Sequence, residues 1–235
     1  MVIAVDAHKL AYMALPKAGC SSVKEALARL DPSVKLPKRR HITLYTWHDL
    51  YPTSRFRQHR FKRYADYWRF CVVRDPVRRL LSVYTNRVLQ FGDLRKSTKM
   101  RAGPDWLTGI ARDPSPDEFF QNLDVYKKAS SSVKHHSIDA WLFVGRDLGV
   151  YDKVYKTEDL GQLAYDLSLL TRQPVAMPRR NTSEMRLRLE DLQDKTIDAV
   201  RPFLDSEYSY LSEFYDNPLG ARVHASCAMP IRRVS

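Results

Sequence analysis

Twice in this chain a short apolar run stops at a loop that carries a proline, and apolar residues at helical spacing take over. Leu10 to Leu15 (L-A-Y-M-A-L) is apolar throughout, as a strand buried on both faces requires. It ends at Pro16, which has no N–H to give to a ladder. After Gly19, the residues Val23, Ala26, Leu27 and Leu30 fall at i, i+3, i+4 and i+7, one face of a helix, with Ser21 or Ser22 as the expected N-cap. About 60 residues later Phe70 to Val73 forms a second run, followed by Arg74-Asp75-Pro76 and by Val77, Leu80, Leu81, Tyr84 and Val88 at helical spacing. Asp75 is the expected N-cap and Pro76 the first helical residue. Two such units predict an α/β fold with a central parallel sheet, whose ligands gather at the carboxyl ends of the strands.

Downstream the pattern is weaker. Gly92 to Pro116 holds several Gly and Pro breaks among many basic residues and reads as a mobile excursion, a candidate lid. Val154 to Lys156 is a third expected strand and Asp159 to Thr171 a helix. Glu184 to Tyr215 reads as two or three amphipathic helices interrupted at Pro202, and the tail from about residue 218 is basic and unpatterned. At 235 residues, 44% of them hydrophobic, one core suffices, so residues 1–235 are expected to form a single domain.

Composition excludes several classes. No apolar run approaches the roughly 20 residues needed to cross a bilayer. Met1 to Asp6 lacks the basic segment and long apolar stretch of a secretory leader, and the expectation from this is a cytoplasmic protein. Cys20, Cys71 and Cys227 are widely spaced and form no C-x-x-C pair, which argues against a disulfide framework or a zinc site. The balance of 39 Lys+Arg against 27 Asp+Glu, a formal net charge of +12, attracts polyanions without choosing among them. The excess is densest in Lys35 to Arg40 and in Arg55 to Arg63, where Phe56 and Phe61 are interleaved.

Chemistry concentrates in the two loops. Pro16-Lys17-Ala18-Gly19-Cys20-Ser21-Ser22 has the parts of an anion cradle: a strand end, a glycine that lets backbone approach closely, then hydroxyls and N–H groups at a helix N-terminus. The nucleoside-triphosphatase pattern G-x-x-x-x-G-K-S/T is absent, because the lysine precedes the glycine. Arg74 leaves the second strand at the same edge of the sheet, and Ser82 follows eight positions later, sharing a helix face with Arg78.

P-K-A-G-C-S-S after one strand and V-R-D-P-V-R-R-L-L-S-V-Y after the next resemble the two nucleotide-binding motifs of sulfotransferases that use 3′-phosphoadenosine 5′-phosphosulfate (PAPS), above all the carbohydrate sulfotransferase branch, family 2-like. Tyr151 to Glu158 and the closing F-L-D-S-E-Y-S-Y-L-S-E-F-Y are also similar to it, so the resemblance runs from Leu10 to about Tyr215. It implies a three-layer, P-loop-kinase-like sulfotransferase fold. It further implies that Lys17, Ala18, Gly19, Cys20, Ser21 and Ser22 hold the 5′-phosphosulfate, with Lys17 also catalytic at the bridging oxygen. Arg74 and Ser82 would grip the 3′-phosphate. Cys20 stands where many relatives have Thr. Adenosine 3′,5′-bisphosphate would be the product, and no metal is required.

The acceptor hydroxyl must lose a proton, and histidine is the side chain poised to take it near neutral pH. His135 and His136 sit where the branch has a histidine before an apolar segment, and either fits; His48 is the next candidate. Glu158 fits the family pattern and is expected to pair with a neighbouring cation. Arg179 to Ser183 (R-R-N-T-S) resembles a late loop that closes over the nucleotide in relatives. The acceptor implied is a carbohydrate or a small hydroxylated metabolite, with Phe56, Phe61 and Trp106 as candidate sugar-stacking rings. Competing readings are a nucleotide or small-molecule kinase of related fold, and a basic nucleic-acid-binding protein. The latter lacks any helix-turn-helix, zinc-finger or RNA-binding signature, so no nucleic-acid partner is expected.

Overall fold

The computed structural model describes residues 2–43, 45–178 and 187–220, apart from the side chain of Arg39. Its chain is mixed α/β. Four strands, β1 (Ile3–Val5), β2 (Leu10–Met13), β3 (Trp68–Val73) and β4 (Lys153–Lys156), form one sheet in that spatial order. β2, β3 and β4 are parallel, with Leu10 opposite Trp68, Met13 opposite Cys71 and Val73 opposite Lys156. β1 runs antiparallel to β2, which departs from the all-parallel expectation. The turn between them, Asp6–His8, closes through Lys9 in a left-handed conformation (φ 46°), and this short edge hairpin carries no glycine or proline to announce it.

Strand alternation divides the core. Leu10, Tyr12, Phe70 and Val72 face the helices Cys20–Leu30 and Leu160–Thr171, packing on Val23, Leu27, Leu163 and Leu167. Ala11, Met13, Cys71 and Val73 point the other way, onto Phe61, Phe143, Val144 and Leu211. Burial on both faces explains why β2 and β3 read as continuous apolar runs. β2 ends at Met13, two residues before the expected Leu15, and Ala14 and Leu15 stay buried without ladder partners as the chain enters its turn.

Three expectations are corrected. The stretch from Gly92 to Pro116 is not a loose excursion: it folds into short helices Asp93–Lys96 and Thr98–Ala102 and a turn at Asp105–Leu107. Leu94, Met100 and Leu107 bury against the helix Pro76–Val83 and its neighbours, while Arg95, Lys96 and Arg101 face solvent. Tyr84 and Tyr126 donate hydrogen bonds to the carbonyls of Pro114 and Ala111, both at 2.9 Å, which pins the segment rather than leaving it free to act as a lid.

Pro202 does not divide the closing region either. One helix, Asp194–Tyr210, runs through it. A mid-helix proline costs about 3 kcal/mol, and burial of Ile197, Val200, Leu204 and Tyr208 at about 1.5–3 kcal/mol for each large side chain outweighs that. Finally, neither Ser21 nor Ser22 is the N-cap of the first helix. Lys17 (φ 67°) and Gly19 (φ 71°) coil the loop so tightly that the helix begins at Cys20 with Gly19 as cap, leaving both serines inside the first turn. Asp75 and Pro76 take the expected positions, the Asp75 carboxylate accepting from the Arg78 N–H at 2.8 Å.

Candidate functional site

The loops after β2 and β3 lie side by side at the carboxyl edge of the sheet. Gly19 is confined there: a Cβ would meet Leu160 Cδ1 at 3.3 Å in a backbone region that side chains avoid. Among the described residues the Gly19 and Cys20 N–H groups have no protein acceptor, as at the open end of a helix. Arg74 reaches across from β3 and donates to the main-chain oxygen of Lys17 at 2.9 Å. The two cationic loops are thus one unit.

Beyond Val83 the helix that follows β3 widens into a π-helical segment, Tyr84–Gln90, a form frequent at functional sites. Its Asn86 Oδ1 accepts from Lys17 Nζ at 2.6 Å, and Asn86 Nδ2 donates to Gln90 Oε1 at 2.7 Å. Burial lowers the Lys17 ammonium to about 7, with the nearby Arg74 and Arg87 pressing it down further and Cys20 and Asp93 opposing them. Arg87 Nε donates to Asp93 at 2.7 Å and to the Ser132 hydroxyl at 3.0 Å, tying the π segment to the helix Ser131–Ser137.

That helix carries both expected histidines. His136 Nδ1 lies 2.8 Å from the Ser132 carbonyl oxygen; a carbonyl only accepts, so Nδ1 bears the hydrogen and Nε2 keeps the lone pair. The His135 ring stands edge-on to His136 and to Phe143, each 5.1 Å away between centroids. His48 comes from the short helix Thr46–Leu50, with Nε2 at 2.8 Å from Ser21 Oγ and Nδ1 at 3.1 Å from Lys24 Nζ. Burial, reinforced by surrounding cations, holds His48 down to about 4 and lowers His135 and His136 as well. These shifts all favour the neutral imidazole.

Lys17, Ser21, His48, His135 and His136 therefore meet at one place. Ser22 is buried in the first turn of the helix. Ser82 is occupied locally, its hydroxyl donating to the Arg79 carbonyl at 2.7 Å. Glu158 accepts from Arg78 at 3.2 Å and from Tyr215 at 2.9 Å; partial burial raises its pKa, but the hydrogen bonds from Tyr215 and Thr157 and the Arg78 charge prevail and hold it below the usual carboxylate range. Phe56 and Phe61 do not offer rings to a ligand: Phe61 is buried against Tyr151, and Phe56 packs on it and on Gly145. Trp106 is exposed. Arg179 to Ser183 lies outside the described residues.

Asn86, Arg87, Lys24 and Thr53 are site residues that sequence reasoning misses. None of the four leaves a trace that the sequence alone would single out.

Comparison with known proteins identifies the family. The model of the sulfotransferase family matches residues 1–212. Carbohydrate sulfotransferase 14 of Danio rerio is 33% identical over 100 residues, 40% of this chain and 24% of that protein, so the chain spans about a quarter of the relative it matches. No solved structure matches. The match to a carbohydrate sulfotransferase overturns the cytoplasmic expectation, which rested only on the first few residues, and a relative of which the chain covers so little allows no conclusion from where this sequence begins. With the family model spanning both loops, the π segment and the histidine helix, the chain belongs to the sulfotransferase family.

Proposed function

We propose that this protein transfers the sulfuryl group of PAPS to a hydroxyl of a carbohydrate, on a three-layer fold of the P-loop-kinase type. One observation carries the reading: two cationic loops from adjacent parallel strands, joined by the Arg74 to Lys17 hydrogen bond, stand beside neutral histidines.

The residues fit such a donor. The N–H groups of Gly19 and Cys20, with the hydroxyls of Ser21 and Ser22, suit the 5′-phosphate. Arg74 and Ser82 suit the 3′-phosphate, Ser82 by turning its hydroxyl away from Arg79. His136 is the favoured base, because the Ser132 carbonyl fixes the tautomer whose Nε2 can accept a proton. His135 is the alternative.

In the transfer, the acceptor oxygen bonds to sulfur as the bond from sulfur to the bridging phosphate oxygen breaks. The acceptor's proton passes to His136 Nε2, and protonated Lys17 neutralises the departing oxygen. Positioning and charge stabilisation carry most of such a displacement, as in phosphoryl transfer. The relative named as a carbohydrate sulfotransferase supports the acceptor class. Neither the kinase nor the nucleic-acid reading finds support in the family match.

Thermal stabilisation by adenosine 3′,5′-bisphosphate, set beside AMP and Mg-ATP at equal concentration, tests the donor. Ligand at 100 times its dissociation constant adds about 2.7 kcal/mol. A shift with the 3′-phosphorylated nucleotide alone supports PAPS; a larger shift with Mg-ATP overturns it. Transfer of labelled sulfate from PAPS to desulfated glycans, against small alcohols, then tests the acceptor.

A further inference from the structure

Lys24 lies one turn beyond Ser21 on the helix Cys20–Leu30 and is wholly buried. A buried cation normally has a carboxylate beside it, since burial without a counter-charge strongly disfavours the charged form. Among the described residues none lies within ion-pair distance of this one, the neighbouring buried Glu25 being paired with Arg29 at 2.8 Å. Its partners are the Thr53 hydroxyl at 2.6 Å and His48 Nδ1 at 3.1 Å.

The direction of these bonds follows from donor inventory. A charged lysine only donates, so His48 Nδ1 must hold a lone pair, and the hydrogen of the neutral ring sits on Nε2. Nε2–H then donates to Ser21 Oγ at 2.8 Å. With its oxygen accepting from His48, the Ser21 hydroxyl turns its own hydrogen away from the ring. Both His48 nitrogens are engaged in this arrangement, and neither is left to take a proton from an acceptor.

We propose that Lys24 and His48 are positioning residues: the buried Lys24 charge, handed through His48, holds the Ser21 hydroxyl as a hydrogen-bond donor to the anionic sulfate donor, whose phosphate supplies the counter-charge Lys24 lacks. The inference rests on the reading of the cradle as the PAPS site. Burial lowers the Lys24 pKa in the free protein, and an arriving anion reverses that tendency, so binding and charge at Lys24 reinforce each other.

The test is calorimetric titration of the full chain with adenosine 3′,5′-bisphosphate. Lys24→Met weakens binding about tenfold or more, as expected for a hydrogen bond to a charged group. His48→Ala weakens it similarly. His48→Gln, whose amide can accept from Lys24 and donate to Ser21, binds within about threefold of the wild type. In a Ser21→Ala background, Lys24→Met adds little further loss, because the two act in series. The free Lys24→Met protein melts no lower than the wild type, since an unpaired buried cation has been replaced by an apolar chain.

Unchanged affinity in Lys24→Met, additive losses in the cycle, or a His48→Gln protein as weak as His48→Ala would each overturn the proposal. Should Lys24→Met fail to fold, the two His48 variants decide alone. A wild-type protein that does not bind the bisphosphate overturns the donor reading itself, before any variant is made.

Discussion

The Arg74 guanidinium holds the backbone of the opposite loop, donating at 2.9 Å to the carbonyl oxygen of Lys17. Lys17 is a non-glycine residue at φ 67°, a conformation that costs roughly 1 kcal/mol or more and persists only when its surroundings impose it. On the proposed reading this one side chain has two duties, shaping the cradle for the 5′-phosphate and supplying charge to the 3′-phosphate.

Arg74→Ala is expected to weaken adenosine 3′,5′-bisphosphate at least about tenfold while changing AMP affinity less. Arg74→Lys does not restore it, since an ammonium cannot span both partners as a guanidinium fork can. Titrating both nucleotides against each variant checks this. Equal losses for the two would remove Arg74 from the 3′-phosphate.

Lys17→Ala should lower turnover about a hundredfold or more, as removal of one oxyanion-stabilising donor does, with a smaller loss in bisphosphate binding. Single-turnover transfer set against equilibrium titration separates the two effects.

The depressed Lys17 pKa has a sign that can be read from stability. The folded protein releases this proton at about 7, whereas an unfolded lysine holds it to about 10.4. Between those values the unfolded chain binds more protons, so this group makes stability rise with pH across the window; its charge penalty is complete below 7 and gone above the unfolded value. Urea unfolding of Lys17→Met and wild type at pH 6, 7.5 and 9 should show the variant's relative advantage shrinking as pH rises. A difference independent of pH would mean that Lys17 is not buried as described.

Arg79 and Glu207, both 1% exposed, form an ion pair, and Glu207 also accepts from the Ala140 N–H at 2.9 Å. The pair links the helix after β3 to the closing helix, directly behind the histidine segment. Glu207→Gln leaves a buried guanidinium without its counter-charge and should cost about 3–5 kcal/mol, measured by chemical denaturation. A loss under about 1 kcal/mol, the range of an exposed pair, would show that water reaches the site.

Much of this arrangement is legible in the sequence. Pro16, Gly19 and Pro76 punctuate both loops, and continuous apolar runs mark β2 and β3, because proline, glycine and two-sided burial each leave a local trace. The link from Lys24 to His48 leaves none: 24 residues and an irregular stretch separate them, and no periodicity registers a contact made by tertiary packing. Asn86 reaches Lys17 from a π-helical turn, which shifts the phase of a pattern that assumes 3.6 residues per turn. Gly92 to Pro116 misleads for the opposite reason, its many breaks being real corners between short helices that the core then holds down.

Because the two loops leave neighbouring parallel strands in fixed register, the gap between their starting points is set by the roughly 4.8 Å spacing of a hydrogen-bonded sheet, and the Arg74 bond to the Lys17 carbonyl then fastens one loop to the other. The sheet acts as a ruler. If the loops hold the two phosphates as proposed, point substitutions alter how firmly each phosphate is held far more than the separation between them. On the proposed reading, a donor with a different spacing of charges would then demand a rebuilt backbone and not a single substitution.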